Sequence, residues 1–167
     1  MSRLPTPRSL LRDELTKQLV PALRALGFTG PAAIGGSRLL HEFRRPGSTG
    51  TQTITLQLEK YGRPRFVLML CVEPPEGFDH LVASGGTIAQ GRLQPRAGAT
   101  TGCWFRTDAG LVQRMLGRSG PAPAEVVAQC VALLPEVEAW WRDQAPSPHV
   151  TVLTHTFPGQ RHASGGP

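Results

Sequence analysis

The sequence predicts an α+β domain: a mainly antiparallel sheet of four or five strands with two long amphipathic helices packed on one face. Three observations carry this. Leu11, Leu15, Leu19, Ala22, Leu23 and Leu26 recur at helical spacing, Ile54, Leu56 and Leu58 alternate with polar residues, and FVLMLCV at 66–72 is apolar without interruption. The first is the mark of a helix buried on one side, the second of a half-buried strand, and the third of a strand covered on both faces.

Thr6 followed by Pro7 starts the first helix, because threonine caps the free amide groups and proline at the first helical position has no amide to waste. Gly27 stops it. Pro21 lies away from the apolar stripe, so the helix is expected to bend there around the core without breaking. Residues 31–37 read as a Gly/Pro-rich connection. Strands are expected over 38–44, 51–60 and 65–73, joined by short turns into a meander that Pro74 and Pro75 end. A fourth strand is expected at 87–93 and a fifth at 101–106, with the rest of 76–100 as loop. Asp108 is placed to cap a short helix ending near Leu116. A long helix over 122–144 follows, carrying Val126, Cys130, Leu133, Leu134, Val137, Trp140 and Trp141 on one broad face and Pro135 on the opposite side. Residues 1–144 are taken as the domain. Residues 145–167 read as a flexible tail in which 150–157 has the pattern of one short strand.

With 167 residues the chain is long enough for one domain that needs no disulfide or metal to fold. Its longest apolar run is far short of a membrane span, and its N-terminal segment carries Asp13 and Glu14 where a secretory signal would be apolar. Three widely spaced cysteines, Cys71, Cys103 and Cys130, write no disulfide framework and no zinc knuckle, so a reducing cytoplasm is the expected setting. No asparagine is present, neither lysine follows a glycine, and His41-Glu42 lacks a second histidine at metal-ligand spacing. A papain-like triad with Asn, a Walker A loop and a zincin site are thereby excluded, and neither a cofactor nor a metal is expected.

The formal net charge is +6, and 16 of the 18 basic residues are arginine. Beside abundant Ala, Gly and Pro this reads more as a compositional bias than as a site, and clustering is only moderate, although the charge adds weight to an anionic partner. The polar strand face of Thr53, Thr55, Gln57 and Glu59, flanked by Arg44, Arg63 and Arg65, is the expected binding surface. Trp140 and Trp141 project about 100° apart on their helix, which leaves Trp141 beside Arg142 as an anchor for a partner, although a core position is the commoner fate of tryptophan. Candidates for chemistry are His41, which points to the face of Leu39 and Phe43, the loop pair Asp79 and His80, and Cys103, close to Arg106 at a strand edge. Cys71 and Cys130 read as small core hydrophobes. His149, His155 and His162 are spaced too irregularly for a metal.

The strings LVPALRALGF, ITLQLEKYGRPRFVLMLCV, GCWFRTD and EAWWRD, in that order, resemble the bacterial DUF4304 family of domains of unknown function. The resemblance covers most of residues 10–143. It implies an α+β domain with an antiparallel sheet, and it carries no catalytic residues over. The function expected from these readings is a small binding or protein-interaction module without catalysis, acting as monomer or homodimer on a protein or a small anionic ligand and not at a membrane. One alternative is an enzyme that pairs His41 or His80 with Glu59 or Asp79. The other, less favoured, is nucleic-acid binding through Arg44, Arg45, Arg63, Arg65, Arg92 and Arg96, which predicts affinity that falls steeply with salt.

Overall fold

The computed structural model describes residues 4–98 and 103–158. Thr6 caps helix α1 (Pro7–Glu14), its hydroxyl accepting from the Ser9 amide at 3.1 Å. The chain then widens into a π-helical turn over Leu15–Leu19 before α2 (Val20–Ala25). Pro21 explains the widening. It has no amide for the Lys17 carbonyl, and the Val20 amide bonds back to the Leu15 oxygen, one residue further than in an α-helix. The expected bend is thus a π-turn one residue ahead of the proline. Leu11, Leu15, Leu19 and Leu23 all end up buried.

The sheet is antiparallel throughout and has seven strands, more than the four or five expected. In spatial order they are β1 (Thr29–Ala33), β2 (Leu40–Pro46), β3 (Thr51–Leu58), β4 (Arg65–Glu73), β5 (Thr87–Leu93) and β7 (Val150–Thr156), with the short β6 (Phe105–Arg106) beside the start of β4. β1 falls mostly inside the segment read as a connection. Gly30 and Pro31 interrupt its pairing with β2, and such a strand survives only at a sheet edge, where the missing proline amide is not needed. β7 pairs with β5 from Val150 opposite Leu93 to Thr156 opposite Thr87.

The register sorts side chains onto two faces. Phe43, Ile54, Leu56, Leu58, Phe66, Leu68, Leu70 and Leu93 point to one face and form the core with α1, α2 and the C-terminal helices. Gly91 keeps that face clear for Trp140, since a Cβ there would stand 2.9 Å from the indole Cε2. On the other face Glu42, Thr55, Met69, Arg92 and Thr151 form one row across the sheet.

Two helical expectations need correction. The helix expected over 122–144 divides into α5 (Pro123–Ala132) and α6 (Leu134–Asp143), because Pro135 supplies no amide for the Val131 carbonyl and Leu133 relaxes to φ −91°, ψ −4°. The loop read across 76–86 contains α3 (Gly77–Ser84), so Asp79 and His80 are helical and exposed. A further short helix, α4 (Leu111–Met115), begins three residues after Asp108, whose carboxylate is used elsewhere. Residues 101 and 102 of the expected fifth strand lie outside the described residues. Among the described residues no helix is long and apolar enough to cross a membrane.

Candidate anion-binding cleft

Strand register places the charged residues at two ends of the sheet. At one end lie Arg38 before β2, Lys60 and Arg63 in the turn between β3 and β4, Arg65 at the start of β4, Arg96 beyond β5 and Arg106 on β6. At the other lie Arg44 and Arg45 on β2, Glu73 closing β4, and Glu76 and Asp79 around the start of α3.

The second end is internally neutralised. Arg44 donates to Glu42 at 3.2 Å and also to Glu73. Arg45, 17% exposed, donates through Nε to Gln52 at 2.7 Å, through Nη1 to the Leu26 carbonyl at 2.6 Å and through Nη2 to Glu138 at 2.9 Å, while its guanidinium covers the Phe28 ring. At the first end one arginine is matched. Arg65 grips Asp108 with both Nε, at 2.8 Å, and Nη2. The Arg65 hydrogen bond holds the Asp108 carboxyl below its ordinary range, and the same bond raises the Arg65 pKa. Among the described residues Arg38, Arg63, Arg96 and Arg106 form no ion pair.

Beside the Arg65–Asp108 pair opens a cleft of about 760 Å³, bounded by β6, the loop after β5, the segment 110–121 and α5. Arg96, Cys103, Trp104 and Arg106 line it together with Gln113 and Gln129. Its lining carboxylate is Glu125, exposed on α5; Asp108 lies behind Arg65, where the Arg106 charge also helps to hold it ionised. Trp104 is half-buried and lies against the Arg92 guanidinium, 5.3 Å from ring centroid to Cζ. Arg92 Nε and Nη2 are buried and have no hydrogen-bond partner among the described residues, so burial lowers the Arg92 pKa. The positive charge of the cleft is therefore backed by a further cation beneath its aromatic wall.

The expected site residues are scattered by comparison. Arg44 and Arg65 share a sheet face but sit at opposite ends, about 20 Å apart along the strands. They do not frame one groove, and Arg65 is committed to Asp108. Gln57 lies between Leu40 and Val67 on the open face, and Arg63 is exposed in the turn. Thr53 is buried, its hydroxyl donating to the Cys71 carbonyl at 3.1 Å, so the polar strand face is not uniformly solvated. Trp141 is 9% exposed, packed edge-on against Trp140 and near Phe28, because both indoles find room where α6 crosses the core. The exposed anchor expected there is replaced by a core residue with one edge at a shallow hollow beside Gln52.

His41 points to the helix side, half-buried in a small cavity beside Arg12, Leu15 and Thr16, with no hydrogen bond among the described residues. Glu59 is used in the neighbouring turn, where Oε2 accepts from the Tyr61 and Arg63 amides. Asp79 and His80 stand on exposed α3 at the far end of the sheet. Cys103 does reach the cleft wall. Burial raises the thiol pKa of both other cysteines, Cys71 up to about 11 with help from nearby Glu73, but only Cys130 is a core residue. Cys71 is half-buried on the opposite sheet face, in register with Thr53 and Arg44, which corrects the core position expected for it.

A histidine–carboxylate pair that sequence reasoning missed joins α6 to β7. Glu136 accepts from the Ser147 hydroxyl at 2.6 Å, the His149 amide at 2.9 Å and the His149 ring Nδ1 at 2.6 Å. Burial alone would raise the Glu136 carboxyl, but these three bonds outweigh it and hold the group below its ordinary range. Its partners are the turn that launches β7, which makes it a clamp on that strand. Among the described residues no group of histidine, cysteine and carboxylate side chains could hold a metal ion.

Fold and site together define an α+β domain with an antiparallel sheet, a helical layer over its core face and a cationic, aromatic-walled cleft at one end. No family model, curated protein or solved structure matches the chain.

Proposed function

We propose that the protein is a cytoplasmic binding module of the DUF4304 type, without catalysis, whose partner is anionic and seats in the cleft between β6 and α5. The observation that carries this reading is the contrast in pairing. Arg96 and Arg106 line a 760 Å³ space and form no ion pair among the described residues, Arg106 reaching Asp108 only through its field, whereas Arg44 and Arg45 at the other end are engaged directly by Glu42, Glu73 and Glu138. Guanidinium groups that line a concave surface attract and orient anions. The non-catalytic part rests on dispersal: His41, His80 and Cys103 belong to three different regions, and a general base needs its partner within hydrogen-bond reach.

The test is a titration of isotope-labelled protein with sodium pyrophosphate, followed by amide and indole chemical shifts. Arg96, Trp104, Arg106 and Gln113 should move together and saturably, and Glu73 to Asp79 should stay still. Shifts confined to the Glu73 end, or none at millimolar pyrophosphate, would remove the anion-binding reading. Turnover in a broad hydrolase screen would remove the non-catalytic one.

A further inference from the structure

We infer that the cleft recognises a nucleotide unit, a phosphate joined to a flat heterocyclic base; the inference rests on the anion-binding reading above and names its ligand. Three features of the lining point to this chemistry. Arg96 and Arg106 line the cleft with planar guanidinium forks of the kind that grip phosphate oxygens, and neither is held in an ion pair among the described residues, although the Arg106 charge also acts on Asp108. Trp104 supplies an aromatic wall, and Arg92 packed against that ring holds it in place, as a stacking platform for a base requires.

The third feature is a complementary pair of amides. Gln129 donates through Nε2 to the Pro95 carbonyl at 2.9 Å, which leaves its Oε1 as an acceptor. Gln113 accepts at Oε1 from the Gly110 amide at 3.0 Å, which leaves its Nε2 as a donor. Both residues line the same space, and one free donor with one free acceptor is what the edge of a base asks for. A bare inorganic anion would use the arginines and leave Trp104 and the amides idle.

The cations also run beyond the cleft. Arg114 and Arg118 are exposed on its flank, and Arg63 and Lys60 lie in the turn below, where Lys60 sits 4.7 Å from the ring of Tyr61, itself 75% exposed. Positive charge interleaved with exposed aromatic rings is the arrangement that tracks a single strand, so an oligonucleotide should bind more tightly than one free nucleotide.

Fluorescence anisotropy with a labelled twelve-residue oligouridylate tests this, with uridine monophosphate as competitor and a sulfated polysaccharide as a polyanion without bases. The oligonucleotide should bind, and the logarithm of its affinity should fall with the logarithm of salt by about 0.7 for each phosphate neutralised. The double variant Arg96→Ala/Arg106→Ala should flatten that slope by about 1.4. Trp104→Leu should weaken oligouridylate binding at least about tenfold while leaving the polysaccharide unaffected, and Trp104→Phe, which keeps a stacking face, should retain most of it. Competition by the monophosphate at equal affinity would identify a free nucleotide as the source and support the inference. If the polysaccharide binds as well as the oligonucleotide and both Trp104 variants match the parent, the nucleotide inference fails while the anion-binding reading stands. If no nucleotide or polysaccharide binds and pyrophosphate shifts nothing, both fail.

Discussion

The two ends of the sheet carry the same residue type to different purposes. Around β2 and α6, arginine is structural. Arg45 alone ties the end of α2, strand β3 and helix α6 through three hydrogen bonds and a ring contact. Around β6, arginine is left facing solvent or the cleft, with Arg65 and Asp108 as the fixed post between. Net charge does not distinguish these uses. What distinguishes them is whether a carboxylate and a carbonyl have been spent on each guanidinium, since an arginine already bonded on three sides has little left to offer a ligand.

The sharpest way to break this comparison is to remove one arginine from each end. Arg45→Ala should cost about 2–4 kcal/mol, because Glu138 and the Leu26 carbonyl lose their donor in a largely buried place. Arg96→Ala should change stability by less than about 0.5 kcal/mol, as substitutions of an exposed residue outside any ion pair usually do. Urea denaturation of both variants measures the difference, and equal costs would erase the distinction.

Asp108→Asn probes the fixed post at the β6 end and should cost about 1–3 kcal/mol at neutral pH. The pH dependence has a definite sign. The folded Asp108 carboxyl lies below its ordinary range, so the stabilisation is complete above that range, at about pH 4, and is lost as pH falls through the folded value. The gap between parent and variant should therefore close in acid and persist at higher pH; a gap that widens in acid would reverse the assignment.

Glu136→Gln should have a smaller effect, about 1–2 kcal/mol, concentrated in the amides of β7. Native-state hydrogen exchange should show protection lost at Val150 to Thr156 before it is lost in β4. The smallest effect expected is that of salt on folding. Raising sodium chloride from 0.05 to 0.5 M should weaken pyrophosphate binding several-fold and leave the urea midpoint nearly unchanged, because exposed charges are screened and half-buried pairs such as Arg45–Glu138 much less so.

The central sheet was legible because its signals are local. Alternation at Ile54, Leu56 and Leu58, the apolar run of β4, and the seven residues of β5 each fall where periodicity puts them. β1 was not, since Gly30 and Pro31 speak against a strand and only pairing with β2 overrules them. α3 hid behind Pro74, Pro75 and Gly85, which read as loop signals although the eight residues Gly77–Ser84 fit two turns of helix. The division at Leu133 was missed because Pro135 placed outward looks tolerable on a wheel, while its missing amide still ends one helix and begins the next. For the site, residue types were legible and neighbours were not. Arg65 looked free because Asp108 is 43 positions away, and Trp104 meets Arg92 and Arg96 only after β5 and β6 dock on the same edge of β4.

The outer strands of the sheet differ in a way that governs how it can grow. β1 is short, holds a proline and breaks its own ladder, so it offers a poor template for another chain. β7 runs seven residues, VTVLTHT, without proline, glycine, lysine, arginine or carboxylate, and its outward backbone edge meets no other described strand. Among the described strands the more open template for an added peptide is therefore β7, whose ladder to β5 is clamped at its start by the Glu136 carboxylate.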